Sequence, residues 1–120
     1  MSSVKSHKDL EVWKRSIELV TKIYNITNNF PNEELYGITS QIRRSAISIP
    51  SNISEGAGRQ YRKELIQFLY VSLGSLAELE TQLIISENLK YLNKNDSEDI
   101  QTELTEIRRM ILGLIRSLKN

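Results

Sequence analysis

Residues 48–59 read SIPSNISEGAGR, and whether this stretch is a loop or a helix decides the fold. It holds Pro50, one of two prolines, and Gly56 and Gly58, two of five glycines. Its end, Glu55-Gly56-Ala57-Gly58-Arg59, has the look of a phosphate-cradling loop. The apolar residues around it argue otherwise. Leu35, Ile38, Ile42, Ser45, Ile49 and Ile53 recur every three or four positions, and the phase runs straight through Pro50. A loop would normally reset that phase. The spacing predicts one helix over residues 33–57, kinked at Pro50. There the ring removes the hydrogen bond to the Ala46 carbonyl and crowds it, at roughly 3 kcal/mol if uncompensated. Ser45, Ser48 and Ser51 are the hydroxyls at hand for freed backbone groups, and Gly56 or Gly58 is the expected C-cap. No Gly-Lys-Ser/Thr follows and no strand precedes, so neither a P-loop nor a dinucleotide fingerprint is expected.

Three further segments carry helical periodicity. In residues 9–29, Leu10, Trp13, Ile17, Val20 and Tyr24 mark the expected core face, widened by Leu19, Ile23 and Ile26, which places Trp13 in the core; Asp9 is the expected N-cap and Pro31 the stop. In residues 61–90, Leu65, Leu69, Ser72, Leu76, Leu79 and Leu83 keep heptad spacing, with Ile66, Leu73, Ala77 and Ile84 beside them. A helix apolar over so much of its circumference needs more than one neighbour. Gly74 costs about 1 kcal/mol relative to Ala in a helix, so a packing reason is expected for it. The last segment has Ile100, Leu104, Ile107, Ile111, Leu114 and Leu118 in a heptad seam, with residues 95–99 as its acidic, capping start. Four helices of up to ~37 Å joined by short connections predict an all-α fold, an antiparallel up-down-up-down four-helix bundle. The domain is expected over residues 9–120, behind a flexible start at residues 1–8.

The 120 residues fit one domain, and 39% hydrophobic with 26% charged residues fits a globular chain. With no cysteine, disulfide scaffolds, thiolate zinc sites and a cysteine nucleophile are excluded, which suits a cytoplasmic location. No signal peptide is expected, and no window approaches 18 apolar residues, so no membrane span is expected either. Net charge is +1, yet residues 1–63 carry net +4 and residues 64–120 net −3. Such halves either complement each other internally or leave a surface for a polyanion.

Catalytic chemistry finds little to build on. His7 is the lone histidine, so no metal or cofactor site is expected. Glu78 and Glu80 are two apart and point to different sides of a helix. Glu80 falls on the apolar side, between Leu76 and Leu83, where a carboxylate needs a cation. Arg43 or Arg44 is the expected partner, and with Glu55 these are the candidate structural ion-pair residues. The open alternative is an anion-binding arginine held in place by the glutamate. Basic candidates for nucleic acid are Lys14 and Arg15, Arg43 and Arg44, and Arg59, Arg62 and Lys63. The last group surrounds Tyr61, a mixture that suits a phosphate backbone with stacking and equally suits a solvated helix start.

The chain also carries an ordered set of motifs. Asp9-Leu10-Glu11-Val12-Trp13-Lys14 opens it and Phe30-Pro31 closes the first helix. Glu34-Leu35-Tyr36-Gly37-Ile38 leads to Gln41-Ile42-Arg43-Arg44-Ser45-Ala46. Ser48-Ile49-Pro50-Ser51-Asn52-Ile53-Ser54-Glu55-Gly56 and Gly58-Arg59 follow. Phe68-Leu69, Gly74-Ser75 and Glu78-Leu79-Glu80-Thr81-Gln82-Leu83 complete it. Over about residues 8–118 this resembles the S23 family, encoded by intervening sequences within bacterial 23S rRNA genes. The resemblance implies an antiparallel four-helix bundle assembled as a homopentamer. It also implies similarity to the accessory variability protein of diversity-generating retroelements, a pentamer that binds a reverse transcriptase and nucleic acid. The family has no accepted enzymatic activity and no established cellular role. The expected function is therefore that of a non-enzymatic, oligomeric RNA- or DNA-binding accessory protein. The alternative is a protein–protein scaffold, or a partner of a polymerase-like enzyme, without direct nucleic-acid contact.

Overall fold

The computed structural model describes residues 6–120, and every regular element among them is helical. Helices α1 (Glu11–Thr27), α2 (Ile38–Ala57), α3 (Arg62–Asn88) and α4 (Lys94–Lys119) follow one another, with 3-10 turns at His7–Asp9 and Asn32–Glu34. Of the start expected to be flexible, residues 1–5 lie outside the described part. Ser6 accepts from the Lys8 N–H at 3.2 Å, and the His7 ring meets Trp13 edge-on at 5.0 Å. Each helix packs on the next, and α4 returns to α1; the α2–α3 contact is the most extensive.

Helix α2 runs through Pro50 without interruption, as the apolar phase predicts, and buries the ring. The hydroxyls near it are used differently from expectation. Ser48 Oγ pairs with Ser75 Oγ of α3 at 2.7 Å. The Asn52 amide donates back to the Ser48 carbonyl and hydroxyl at 2.8 and 2.9 Å. From α3, Ser72 donates to the Ile49 carbonyl at 3.0 Å. Polar bonds thus tie α2 to α3 through Ser48 and Ile49, the two residues just before the proline, where buried hydroxyls must find partners.

Close approach continues at Gly56. A Cβ there would stand 2.7 Å from Phe68 Cβ and 3.2 Å from Leu65 Cα, so only glycine lets the end of α2 lie on the start of α3. Gly58 is the C-cap, with its N–H bonded to the Ser54 carbonyl at 3.1 Å. The helix begins at Ile38 rather than residue 33. The chain first makes the Asn32–Glu34 turn, and Glu34 bends back over Gly37 to accept from the Ile38 N–H at 3.4 Å.

The core is aliphatic: Leu19, Ile23, Ile42, Ile49, Ile53, Leu69, Leu76, Leu79, Leu83, Ile100, Leu104 and Ile107 are its largest fully buried side chains. The expected seams of α2, α3 and α4 are found, save that Leu35 is exposed and Ile115 replaces Leu114 as the buried residue near the end of α4. Helix α1 corrects the reading. Its buried face is Val12, Ser16, Leu19, Ile23 and Thr27: Leu19 and Ile23, expected only at the edge of the stripe, are at its centre, and the main stripe is one residue off. Ser16 and Thr27 can be buried because their hydroxyls bond to the carbonyls of Trp13 and Ile23, at 2.8 and 2.7 Å. Trp13 is consequently half-buried at the flank, and with Ile17, Val20, Ile47 and Pro50 it lines an apolar groove between α1 and α2. Asp9 ends the first 3-10 turn, and Leu10 holds the N-cap position of α1. Asn93 caps α4, accepting from the Asp96 N–H at 2.8 Å, so α4 starts before the acidic run at 95–99.

By length and composition, α3 alone among the described helices could span a membrane. Its Leu65, Leu69, Leu76, Leu79 and Leu83 are instead buried in this chain's own core. Its opposite side exposes Tyr70, Val71, Ile84 and Ile85, and Leu89 is exposed at its C-cap. Gly74 sits on that exposed side, and a Cβ there would meet nothing within 4 Å; the expected packing reason is absent within the chain.

The two glycines should respond oppositely to alanine in urea unfolding. Gly56→Ala should lose about 1–3 kcal/mol through overpacking, while Gly74→Ala should gain about 1 kcal/mol from helix propensity. Equal effects would contradict the packing described.

Candidate nucleic-acid interface

The seven basic candidates do not form one cluster. Lys14 pairs with Glu11 at 3.3 Å on the surface of α1. Arg15 reaches across to α4 and binds Glu106 at 2.6 Å, with Glu18 at 3.9 Å. Its guanidinium is held more firmly protonated than usual, chiefly by the hydrogen bond to Glu106. Lys22, one turn-pair further on, bridges Asp99 at 3.2 Å and also contacts Glu103, whose hydrogen bond raises its pKa. These pairs stitch α1 to α4, and being half-exposed each is worth at most about 1 kcal/mol.

Arg43 and Arg44 face different ways. Arg43 donates from Nε to Thr27 Oγ1 at 2.9 Å and from Nη2 to Asn28 Oδ1 at 3.1 Å, and lies 4.5 Å over the Tyr24 ring. It thereby sets a cation at the C-terminus of α1, where the helix dipole favours one. Arg44 is exposed and lines a cleft with Glu78. Neither meets Glu80. That carboxylate binds Arg108 of α4 at 3.2 Å, so the expected α2–α3 pair is replaced by an α3–α4 pair. Glu55 binds Arg59 within the helix end at 2.9 Å, and Arg59 lies 5.0 Å over the Phe68 ring.

The group after α2 is where charge gathers. Arg62 donates to the carbonyls of Leu118 at 3.3 Å and Asn120 at 3.4 Å, so the start of α3 meets the end of α4. Lys119 likewise reaches Tyr70 Oη at 3.2 Å. The His7–Asp9 turn packs on α2, and His7 and Trp13 share the groove with Pro50, Ser51 and Ser54. Residues 6–20, 50–70 and 108–120 therefore meet at one end. Together they carry net +5, and residues 21–49 and 71–107 carry net −5. Among the described residues Lys63, Arg109 and Arg116 are exposed at this basic end and make no ion pair. Arg109 and Arg116 were missed by the sequence reading. The signal existed: residues 108–120 hold four Lys/Arg and no acid.

A family model for the 23S rRNA-intervening sequence protein matches residues 8–113. The chain belongs to that family. Its fold is similar to the crystal structure of a protein of unknown function from the S23 ribosomal protein family of Bacteroides thetaiotaomicron. The two share 29% identity with a TM-score of 0.81, over 88% of this chain and 95% of that one. No curated protein matches the chain.

At the opposite end, α3 finishes with Lys90 in the left-handed region, φ 67°, and the Tyr91 N–H closes on the Ser86 carbonyl at 2.9 Å. This turn delivers the Tyr91 hydroxyl to Glu34, to which it donates at 2.9 Å. The hydrogen bond to Glu34, then burial, then the negative charges of Glu34 and Glu33 raise the Tyr91 pKa above the usual 10.0. A raised folded-state value means the contact stabilises fully below pH 10 and is lost as pH climbs through the folded-state pKa. Absorbance titration of phenolate should show Tyr91 among the last tyrosines to ionise. Tyr91→Phe should remove that late component, and Glu34→Gln should shift it to lower pH. A late component surviving Tyr91→Phe would contradict the assignment.

Proposed function

We propose that this protein is a non-enzymatic, oligomeric accessory protein that holds RNA or DNA by its phosphate backbone at the basic end. The observation that carries this reading is the segregation of charge along the molecule, with Lys63, Arg109 and Arg116 exposed and unpaired among the described residues. A desolvated structural pair would not leave these cations in water; a phosphate track uses them so. The family description, which refers to an intervening sequence of 23S rRNA, supports a nucleic-acid context.

The reading includes an antiparallel up-down-up-down bundle, in which the contact of Arg62 with the end of α4 and of Lys22 with its start fit alternate helix directions. It includes a bend of α2 at Pro50, since a proline inside a helix takes away one backbone bond. It includes a homopentamer in the cytoplasm, five copies following from the family resemblance. The exposed face of α3 and the groove between α1 and α2 are two different apolar surfaces, and a contact joining unlike surfaces builds a ring when its rotation per copy closes. Copies in a ring would multiply a weak phosphate site by avidity. The same exposed face of α3 also favours a second reading, a scaffold for a protein partner without nucleic-acid contact.

Light scattering should give the mass of five chains, and anisotropy with a structured RNA should show binding that weakens as salt rises. The triple variant Lys63→Gln/Arg109→Gln/Arg116→Gln should flatten the salt slope by about one per phosphate contact removed. A monomeric mass would overturn the pentamer. Absence of RNA and DNA binding at low salt would overturn the nucleic-acid reading and leave the scaffold.

A further inference from the structure

We propose that the cleft between the start of α2 and the middle of α3 takes a single unpaired nucleotide, its base on Tyr36 and its phosphate on Arg44. This goes beyond the nucleic-acid reading above and uses a different site, away from the basic end. The cleft holds about 500 Å³ and is lined by Tyr36, Ser40, Gln41, Arg44, Ser45 and Glu78, with Ser48 at its side. That volume lies within the range of small-ligand sites.

Three features give the cleft its chemistry. Tyr36 is 93% exposed, a bare aromatic face at the rim. Base stacking on such a face is tolerant of sequence and strong in single strands. The chain before it is pinned, because Glu34 accepts from both the Ile38 N–H and the Tyr91 hydroxyl. These bonds fix the backbone turn that carries Tyr36. Second, Arg44 and Glu78 line the same cleft without forming an ion pair among the described residues. Arg15, Arg59 and Arg108 by contrast each hold a carboxylate. An arginine free of carboxylate offers its fork to phosphate. Third, Glu78 accepts only a long contact from Gln82 Nε2, 3.5 Å, which leaves carboxylate oxygen for a donor on the ligand. The hydroxyls of Ser40 and Ser45 and the Gln41 amide can serve ribose hydroxyls.

The carboxylate gives a preference among bases. Adenine, cytosine and guanine each present an exocyclic amino group to it. Uracil presents only N3–H, flanked by two carbonyl oxygens that repel a carboxylate. Glu78 therefore selects against uracil.

NMR titration of the full-length protein with AMP and with UMP reads the cleft directly. AMP should move the Tyr36 ring and Arg44 Nε signals, and UMP should do so more weakly. Tyr36→Ala should weaken AMP binding by at least about fivefold, the size expected from one lost stack. Glu78→Gln should narrow the gap between AMP and UMP. Tyr36 is exposed, so its removal should leave the helical circular dichroism unchanged. If millimolar AMP leaves these signals still, or Tyr36→Ala binds AMP like wild type, the cleft proposal is overturned even where RNA binds at the basic end. If AMP binds in the cleft while RNA and DNA fail to bind at low salt, the cleft stands and the nucleic-acid reading falls.

Discussion

Gly56 lets the end of α2 touch the start of α3, and the rest of the molecule is arranged around that contact. A side chain there would meet Phe68 and the Leu65 backbone, so the two helices could not lie as they do. The approach carries along the hydroxyl pairs further up: Ser48 with Ser75, and Ser72 with the Ile49 carbonyl. These bonds use Ser48 and Ile49, just before Pro50, where the helix lacks one backbone hydrogen bond of its own. Short distance and small polar residues go together here, because hydroxyls can satisfy each other only when the backbones are near.

The same contact sets where charge ends up. Turning the chain tightly at residues 58–61 brings Arg62 back over the last carbonyls of α4 and gathers residues 6–20, 50–70 and 108–120 at one end. Net charge of +1 conceals the result, since +5 at one end cancels −5 elsewhere and Lys5 leaves the remaining +1. Such segregation costs little in stability across tens of ångströms of salt-screened water, and it orients a charged partner from a distance.

The sequence made the helices legible because heptad spacing survives in α2, α3 and α4. It made Pro50 legible as a helical residue because Ile49 and Ile53 keep phase across it. It misled in α1, where Ser16 and Thr27 are core residues that satisfy themselves on their own helix, and counting apolar residues passed over both. Pairings between helices were less legible. Glu80 was correctly placed in need of a cation, but periodicity fixes a face and not which neighbour it meets; α4, not α2, supplies Arg108. Gly37 and the turn before it escaped notice because apolar spacing continues through Leu35 and Ile38, while the backbone between them is not helical. The basic end was half visible: Arg59, Arg62 and Lys63 stand together in sequence, and Arg109 and Arg116 join them only through folding.

A continuous α2 clasped to α3 underlies both the basic end and the cleft, and native-state amide hydrogen exchange tests it most directly. Amides of residues 51–56 should exchange as slowly as those of residues 69–83 in α3, opening only with the whole fold. Fast exchange at residues 51–56 beside a protected α3 would show a loop after Pro50 and contradict the helix on which the rest is built.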